Sequence, residues 1–231
     1  MKFPSPLLNG TLVKRYRRSL ADIKLDNGEI VTAHVFSLGP MIGCCEPGRP
    51  VLLSDSADRA RRHPLTWEMI NVEGFWVGVN PNVTRKVIQE AIAGGEIASL
   101  RNYHIQSEPV YGKRGRVDFV LQNVEENCYI NIHSVSWAKN GKALFPEVAG
   151  EKHRKSLREL VDIAAQGHRA IDLFHVLRGD CEHAGPAGQV DARYAKVVQD
   201  ALRAGVEIMA FRATVNATEI SLGSPIPFSF E

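Results

Sequence analysis

The chain has 231 residues, 44% of them hydrophobic, and a formal net charge of +2. That length suits one large or two modest domains with cores of their own, and no apolar run approaches the roughly 20 residues a membrane helix needs. Met1-Lys-Phe-Pro-Ser-Pro6 lacks the apolar core of a signal peptide, so a cytoplasmic protein is expected.

Residues 1–80 read as β. Leu25-Asp-Asn-Gly-Glu29 is a hairpin signal, with Asn27-Gly28 supplying the positive φ of a type I′ turn. Apolar runs of strand length follow at Ile30–His34, Val51–Leu53, Trp67–Val72 and Phe75–Val79, separated by Gly, Pro, Asp and Ser. Short strands at this spacing predict a small barrel. The texture changes near Pro81. Val83, Val87, Ile88, Ala91 and Ile92 recur at helical spacing, and Gly94-Gly95 ends that helix. Arg116–Leu121 then reads as a buried strand carrying one acid, Asp118, and Cys128–Val135 as the next strand. Leu157, Leu160, Val161 and Ala164 mark a helix stopped at Gly167, followed by a strand over Ala170–Leu177. Asp191 is placed to cap a helix burying Tyr194, Val197, Val198, Ala201 and Leu202, which Gly205 closes before a strand over Val206–Phe211. Alternating strands and helices predict an α/β domain over residues 81–231 with parallel strand pairs. The Gly-, Ala- and Pro-rich stretch Asp180–Val190 reads as the most mobile loop.

On the strand Cys128–Val135, Asn131 and His133 fall on one face, because side chains two apart point the same way. An acid ending one strand, with Glu-x-Lys on the next, is how metal-dependent nucleases set a divalent ion beside a scissile phosphate. Here the acid stands as Asp118, but the pair is Asn131-Ile-His133.

Charge is clustered in four places. Lys14, Arg15, Arg17 and Arg18 form the first group, Arg59, Arg61 and Arg62 the second, Lys113, Arg114 and Arg116 the third, and Lys152, Arg154, Lys155 and Arg158 the fourth. Each alone reads equally as solvated surface; together they point toward phosphate contact. Tyr16 lies inside the first group as a candidate stacking platform. Cys44, Cys45, Cys128 and Cys181 lack the Cys-x-x-Cys spacing of a zinc site.

The ordered series Leu12-Val-Lys-Arg-Tyr-Arg-Arg-Ser-Leu-Ala-Asp22, Gly43-Cys-Cys-Glu-Pro-Gly48, Thr66-Trp-Glu68, Glu90-Ala-Ile92, Val110-Tyr-Gly112, Arg116-Val-Asp-Phe119, Phe145-Pro146, Leu157-Arg-Glu-Leu160 and Ala204-Gly-Val-Glu-Ile208 resembles the bacterial sugar fermentation stimulation protein A family along the whole chain. The resemblance implies an N-terminal OB-like β-barrel over residues 1–80, then a PD-(D/E)xK nuclease-like mixed sheet with flanking helices, α+β overall, and a link to DNA binding. It implies Asp118 as a central metal ligand, with Glu108 and Glu147 as further ligands for magnesium or manganese, and His133 with Asp118 and Glu108 as catalytic residues. Departures fall where the family carries polar site residues: His34-Val-Phe-Ser-Leu-Gly-Pro-Met41, Thr84-Arg-Lys-Val87, Asn131-Ile-His133, Phe145-Pro-Glu147 and Gly150-Glu-Lys-His-Arg-Lys-Ser-Leu157. Asn131 offers a neutral oxygen where a hard cation wants a charged one, and His133 a weak base where lysine would carry a fixed charge. The leading expectation is a DNA-binding protein with an altered cleavage centre. The rivals are an active metal-dependent nuclease using Asp118 with Glu108 or Glu147, and a regulatory or scaffolding protein that uses neither groove nor metal.

Overall fold

A computed structural model describes residues 1–58, 60–106 and 117–230. Six strands come first: β1 (Leu8–Tyr16), β2 (Leu20–Leu25), β3 (Ile30–His34), β4 (Pro50–Asp55), β5 (Leu65–Val72) and β6 (Phe75–Gly78). They lie in the order β3-β2-β1-β4-β5-β6, and a parallel pairing of His34 with Thr66 joins β3 to β5, so β1–β5 close into a barrel. Alternation drives the closure. Ala21 and Ile23 of β2 turn inward with Leu12, Val51, Leu53 and Trp67, and their polar neighbours face out. Gly10 lets β1 cross closely, since a Cβ there would lie 2.5 Å from Ile23 Cγ2.

The β2–β3 hairpin differs from the type I′ expectation. Only Gly28 has a positive φ, 87°, and its N–H closes on the Leu25 carbonyl at 2.9 Å, the form of a three-residue loop with glycine in the left-handed position. Positive-φ pairs sit instead at the two-residue β5–β6 turn, Glu73 (53°) and Gly74 (92°), and at the β1–β2 turn, where Arg17 (49°) and Arg18 (61°) hold a conformation that non-glycine residues adopt at a cost.

The second unit begins with helix α1 (Asn82–Ala93), buried along Val83, Val87, Ile88, Ala91 and Ile92. Strands β7 (His104–Ile105), β8 (Phe119–Gln122), β9 (Asn127–Val135), β10 (Ala138–Lys139) and β11 (Lys142–Phe145) lead to helix α2 (Glu151–Ala164). After it come β12 (Arg169–Val176), β13 (His183–Pro186), helix α3 (Ala192–Arg203), β14 (Glu207–Val215) and β15 (Ile220–Pro225). The main sheet runs β15-β14-β12-β9-β8-β7, with β12 parallel to both β9 and β14 and its outer pairs antiparallel. Its face of Cys128, Ile130, Leu121 and Leu173 packs with α1, and its other face, including Val120, Ala170 and Tyr129, packs with α2 and α3. Asp191 caps α3 as expected, its Oδ1 accepting the Tyr194 N–H at 2.9 Å.

Two placements differ from the sequence reading. Within the stretch read as a mobile loop, His183–Pro186 is β13, parallel to β11, with Ala184, Gly185 and Pro186 buried. Glycine is required there because a Cβ at Gly185 would meet the Ser229 carbonyl at 2.1 Å. The first residues leave the barrel: the Phe3 N–H donates to the Thr218 carbonyl at 3.0 Å and Lys2 bridges to Glu219, against the far end of the second unit. No helix among the described residues is long and apolar enough to cross a membrane.

Candidate functional site

Asp118 stands immediately before β8, held by its own N–H on the Ile130 carbonyl at 3.0 Å. Its Oδ2 accepts the Ile132 N–H at 2.9 Å, which aims the other oxygen away from the sheet. Arg85 of α1 meets that side. Its Nη1 donates to the Asp118 carbonyl at 2.8 Å and lies 3.8 Å from Oδ1, while the guanidinium covers the Phe119 ring at 4.6 Å.

Asn131 and His133 do share the face of β9 turned toward α2, where the Asn131 amide nitrogen and the His133 ring are committed while Asn131 Oδ1 has no partner among the described residues. Asn131 is 2% exposed, and its Nδ2 donates to the Ser156 Oγ at 2.7 Å and carbonyl at 3.2 Å. His133 Nε2 is 2.7 Å from Oδ1 of Asp172, a carboxylate only 1% exposed on β12. The imidazole is wedged between Phe145 at 4.6 Å and Phe174 at 4.8 Å, so it cannot swing toward Asp118. His153 of α2 stands 6.1 Å from it; burial, then the neighbouring His133, pushes its imidazole down to about 4, so it is neutral at pH 7. These groups frame a pocket of about 450 Å³ lined by Arg85, Asp118, Ile132, His133, Lys152, His153 and Ser156.

Glu147, the expected ligand among the described residues, does not join Asp118. Glu147 lines a separate cavity of about 190 Å³ between barrel and sheet. Its Oε2 accepts the Met41 N–H at 2.9 Å and its Oε1 the Ser136 hydroxyl at 3.2 Å, and burial holds the carboxyl above its usual range. It acts as a clamp on the barrel loop that carries Met41. Glu108, Lys113, Arg114 and Arg116 lie outside the described residues. Among the described residues no three His, Cys, Asp or Glu side chains converge as a metal site. The donor chemistry agrees: among the described residues the pocket is lined by one carboxylate with a guanidinium beside it, whereas magnesium favours charged oxygens in octahedral array. The described residues by themselves do not fit a resident magnesium or manganese ion.

The basic groups divide into structural and free members. Arg15 Nη2 is spent on the carbonyls of Arg18 and Ser37, each at 2.7 Å, and Lys14 lies 3.5 Å from Asp22. Tyr16 donates to Asp22 at 2.9 Å while Lys14 covers its ring at 5.5 Å, so the ring is no open platform. Arg17 and Arg18 are exposed with no side-chain partner among the described residues. Arg154 pairs with buried Asp191, and Arg158 with Glu151 at 2.6 Å, leaving Lys152 and Lys155 exposed on α2. Cys44, Cys128 and Cys181 are buried thiols pushed up to about 12 by desolvation, inert as ligands or nucleophiles.

Sequence reasoning had no means to find Asp172 and Arg85. Asp172 was one acid within the strand Ala170–Leu177, and Arg85 one cation on a helix. Only the parallel register that sets Asp172 beside Asn131, and the packing of α1 against β9, bring them to the pocket.

A closed five-stranded barrel joined to a mixed sheet with three helices defines an OB domain followed by a nuclease-like α+β domain. The model of the SfsA N-terminal OB domain matches residues 13–79, and that of the sugar fermentation stimulation protein RE domain matches residues 82–219. The chain belongs to the sugar fermentation stimulation protein family. A homolog from Citrifermentans bemidjiense is 42% identical over 98% of this chain and 99% of its own. One from Synechocystis sp. is 43% identical over 91% of each. The structure of Pyrococcus furiosus SfsA in complex with Ca2+ shares the fold, with a TM-score of 0.90 at 19% identity over 99% of both chains.

Proposed function

We propose that this protein binds DNA in the cytoplasm through its basic surface and that its nuclease-like centre no longer cleaves. The observation that carries the reading is the internal commitment of both side chains at the Glu-x-Lys positions. Asn131 is spent on Ser156 and His133 on Asp172. His133 is therefore not free to steady a charged phosphate, and Asn131 Oδ1, which has no partner among the described residues, is neutral where a hard cation wants a charged oxygen. DNA binding draws support from the OB barrel, a fold that commonly receives nucleic-acid strands, and from exposed Arg17, Arg18, Lys152 and Lys155.

The test pairs binding with cleavage. Affinity for duplex and single-stranded DNA should fall steeply as salt rises, and neither substrate should yield products in magnesium or manganese. Cleavage by the wild type that Asp118→Ala abolishes would instead make the chain an active nuclease. Absence of any salt-dependent affinity would leave a regulatory or scaffolding role.

A further inference from the structure

We propose that Arg85 stands in for the missing cation, making the pocket at Asp118 a metal-independent binding site for a phosphate oxyanion. The inference rests on the reading of the chain as a DNA-binding protein with a nuclease-like fold. Arg85 is fixed at three points: the Asp118 carbonyl at 2.8 Å, Asp118 Oδ1 at 3.8 Å and the Phe119 ring at 4.6 Å. A guanidinium is charged at every accessible pH. Placed there, it repels a divalent ion from the Asp118 carboxylate.

Arg85 uses only Nη1 in its two polar contacts. Its Nε and Nη2 have no partner among the described residues, and the side chain is 45% exposed. Two such donors form the fork that phosphate oxygens accept. Lys152 lines the same pocket, adding a second charge. Ser156 accepts the Asn131 Nδ2 proton at 2.7 Å, which leaves its own O–H to donate. Asp118 is the one acid among the described residues of the lining, and the Ile132 N–H holds its Oδ2 back at 2.9 Å. Two cations against one restrained anion among the described residues select a negatively charged ligand, and the Nε/Nη2 fork matches two oxygens of an oxyanion such as phosphate.

The experiment is calorimetric titration of the full chain with inorganic phosphate, and with a short single-stranded oligonucleotide with or without a 5′ phosphate, first in EDTA and then in magnesium. Binding is expected in EDTA, with no requirement for magnesium. Arg85→Gln should weaken it roughly ten-fold, the scale of one lost charge-assisted contact. Asp118→Asn should tighten it, because the opposing charge beside Arg85 is gone; a gain of affinity cannot come from misfolding. Equal binding of the two oligonucleotides would mean a backbone diester in the pocket, and preference for the phosphorylated one a terminal monoester; either supports the site. A need for magnesium, weaker binding by Asp118→Asn, or an unchanged Arg85→Gln would overturn it. If DNA binds with its full salt dependence while Arg85→Gln changes nothing, the pocket fails and the DNA-binding reading stands. If phosphate binds through Arg85 but no oligonucleotide does, the reverse holds.

Discussion

A carboxylate with 1% exposure needs a partner, and Asp172 has taken His133 at 2.7 Å. Any lysine placed at position 133 would meet the same carboxylate. Restoring Asn131→Glu and His133→Lys together is therefore expected to yield no more metal-dependent product than the wild type. The new lysine would pair with Asp172, and the new glutamate would face the Ser156 carbonyl. Adding Asp172→Leu frees that lysine, and plasmid cleavage in magnesium should then exceed both; a fully active double variant would show that Asp172 does not capture the charge. Buried histidines set a second residue-scale expectation. Burial pushes His175 down to about 3 and His153 to about 4, against an ordinary value of 6.5. The unfolded chain thus binds more protons between those limits, so this contribution to stability is complete above about pH 6.5 and is lost as pH falls toward 4 and 3. Buried Glu68 and Glu147, both raised by desolvation, act in the opposite sense in the carboxylate range. The readout is accordingly a difference: between pH 7 and 4 the urea midpoint of His175→Gln should fall less than that of the wild type.

At the level of elements, Asp191 ties three pieces of backbone together. Its Oδ1 caps α3 and its Oδ2 accepts from the Gly150 N–H at 3.3 Å and from Arg154, whose side chain is 11% exposed. Asp191→Ala removes the cap and one of the two carboxylates that Arg154 holds, its Nε keeping Glu151 at 3.0 Å, so a loss of about 2 kcal/mol is expected in denaturant unfolding. Asp191→Asn keeps a capping oxygen and should cost less; equal losses would mean that the ion pair contributes nothing beyond the cap. The α3 helix and its cap were legible in the sequence because the apolar period and the capping residue are local. Strand β13 was not. Gly185 and its small neighbours carry no pattern of their own, and their burial follows from β11 on one side and the returning chain at Phe228 on the other.

Across the whole molecule, the charged surface is smaller than the sequence suggests. Arg15, Arg154 and Arg158 are held by internal partners, and Arg17 and Arg18 project from the β1–β2 turn. Changing Arg17 and Arg18 together to Gln should lower the log–log salt slope of DNA binding by about 1.4 to 1.8, from 0.7 to 0.9 per lost phosphate contact. An unchanged slope would place the phosphate contacts elsewhere. Glu147 works at the same scale, joining the barrel loop at Met41 to Ser136 of the second unit. Its extra reach relative to aspartate serves that junction, not the Asp118 pocket.

The sequence by itself determined the family, the succession of a barrel and a mixed sheet, the shared face of Asn131 and His133, and the loss of Glu-x-Lys. Each of these is written in residue types and short spacings. Tertiary structure alone decided what those residues do. Asp172 lies 39 positions from His133 and Arg85 lies 33 from Asp118, so no local period relates them. Strand register and helix packing bring them together, and the need of a buried charge for a partner decides which groups they bind.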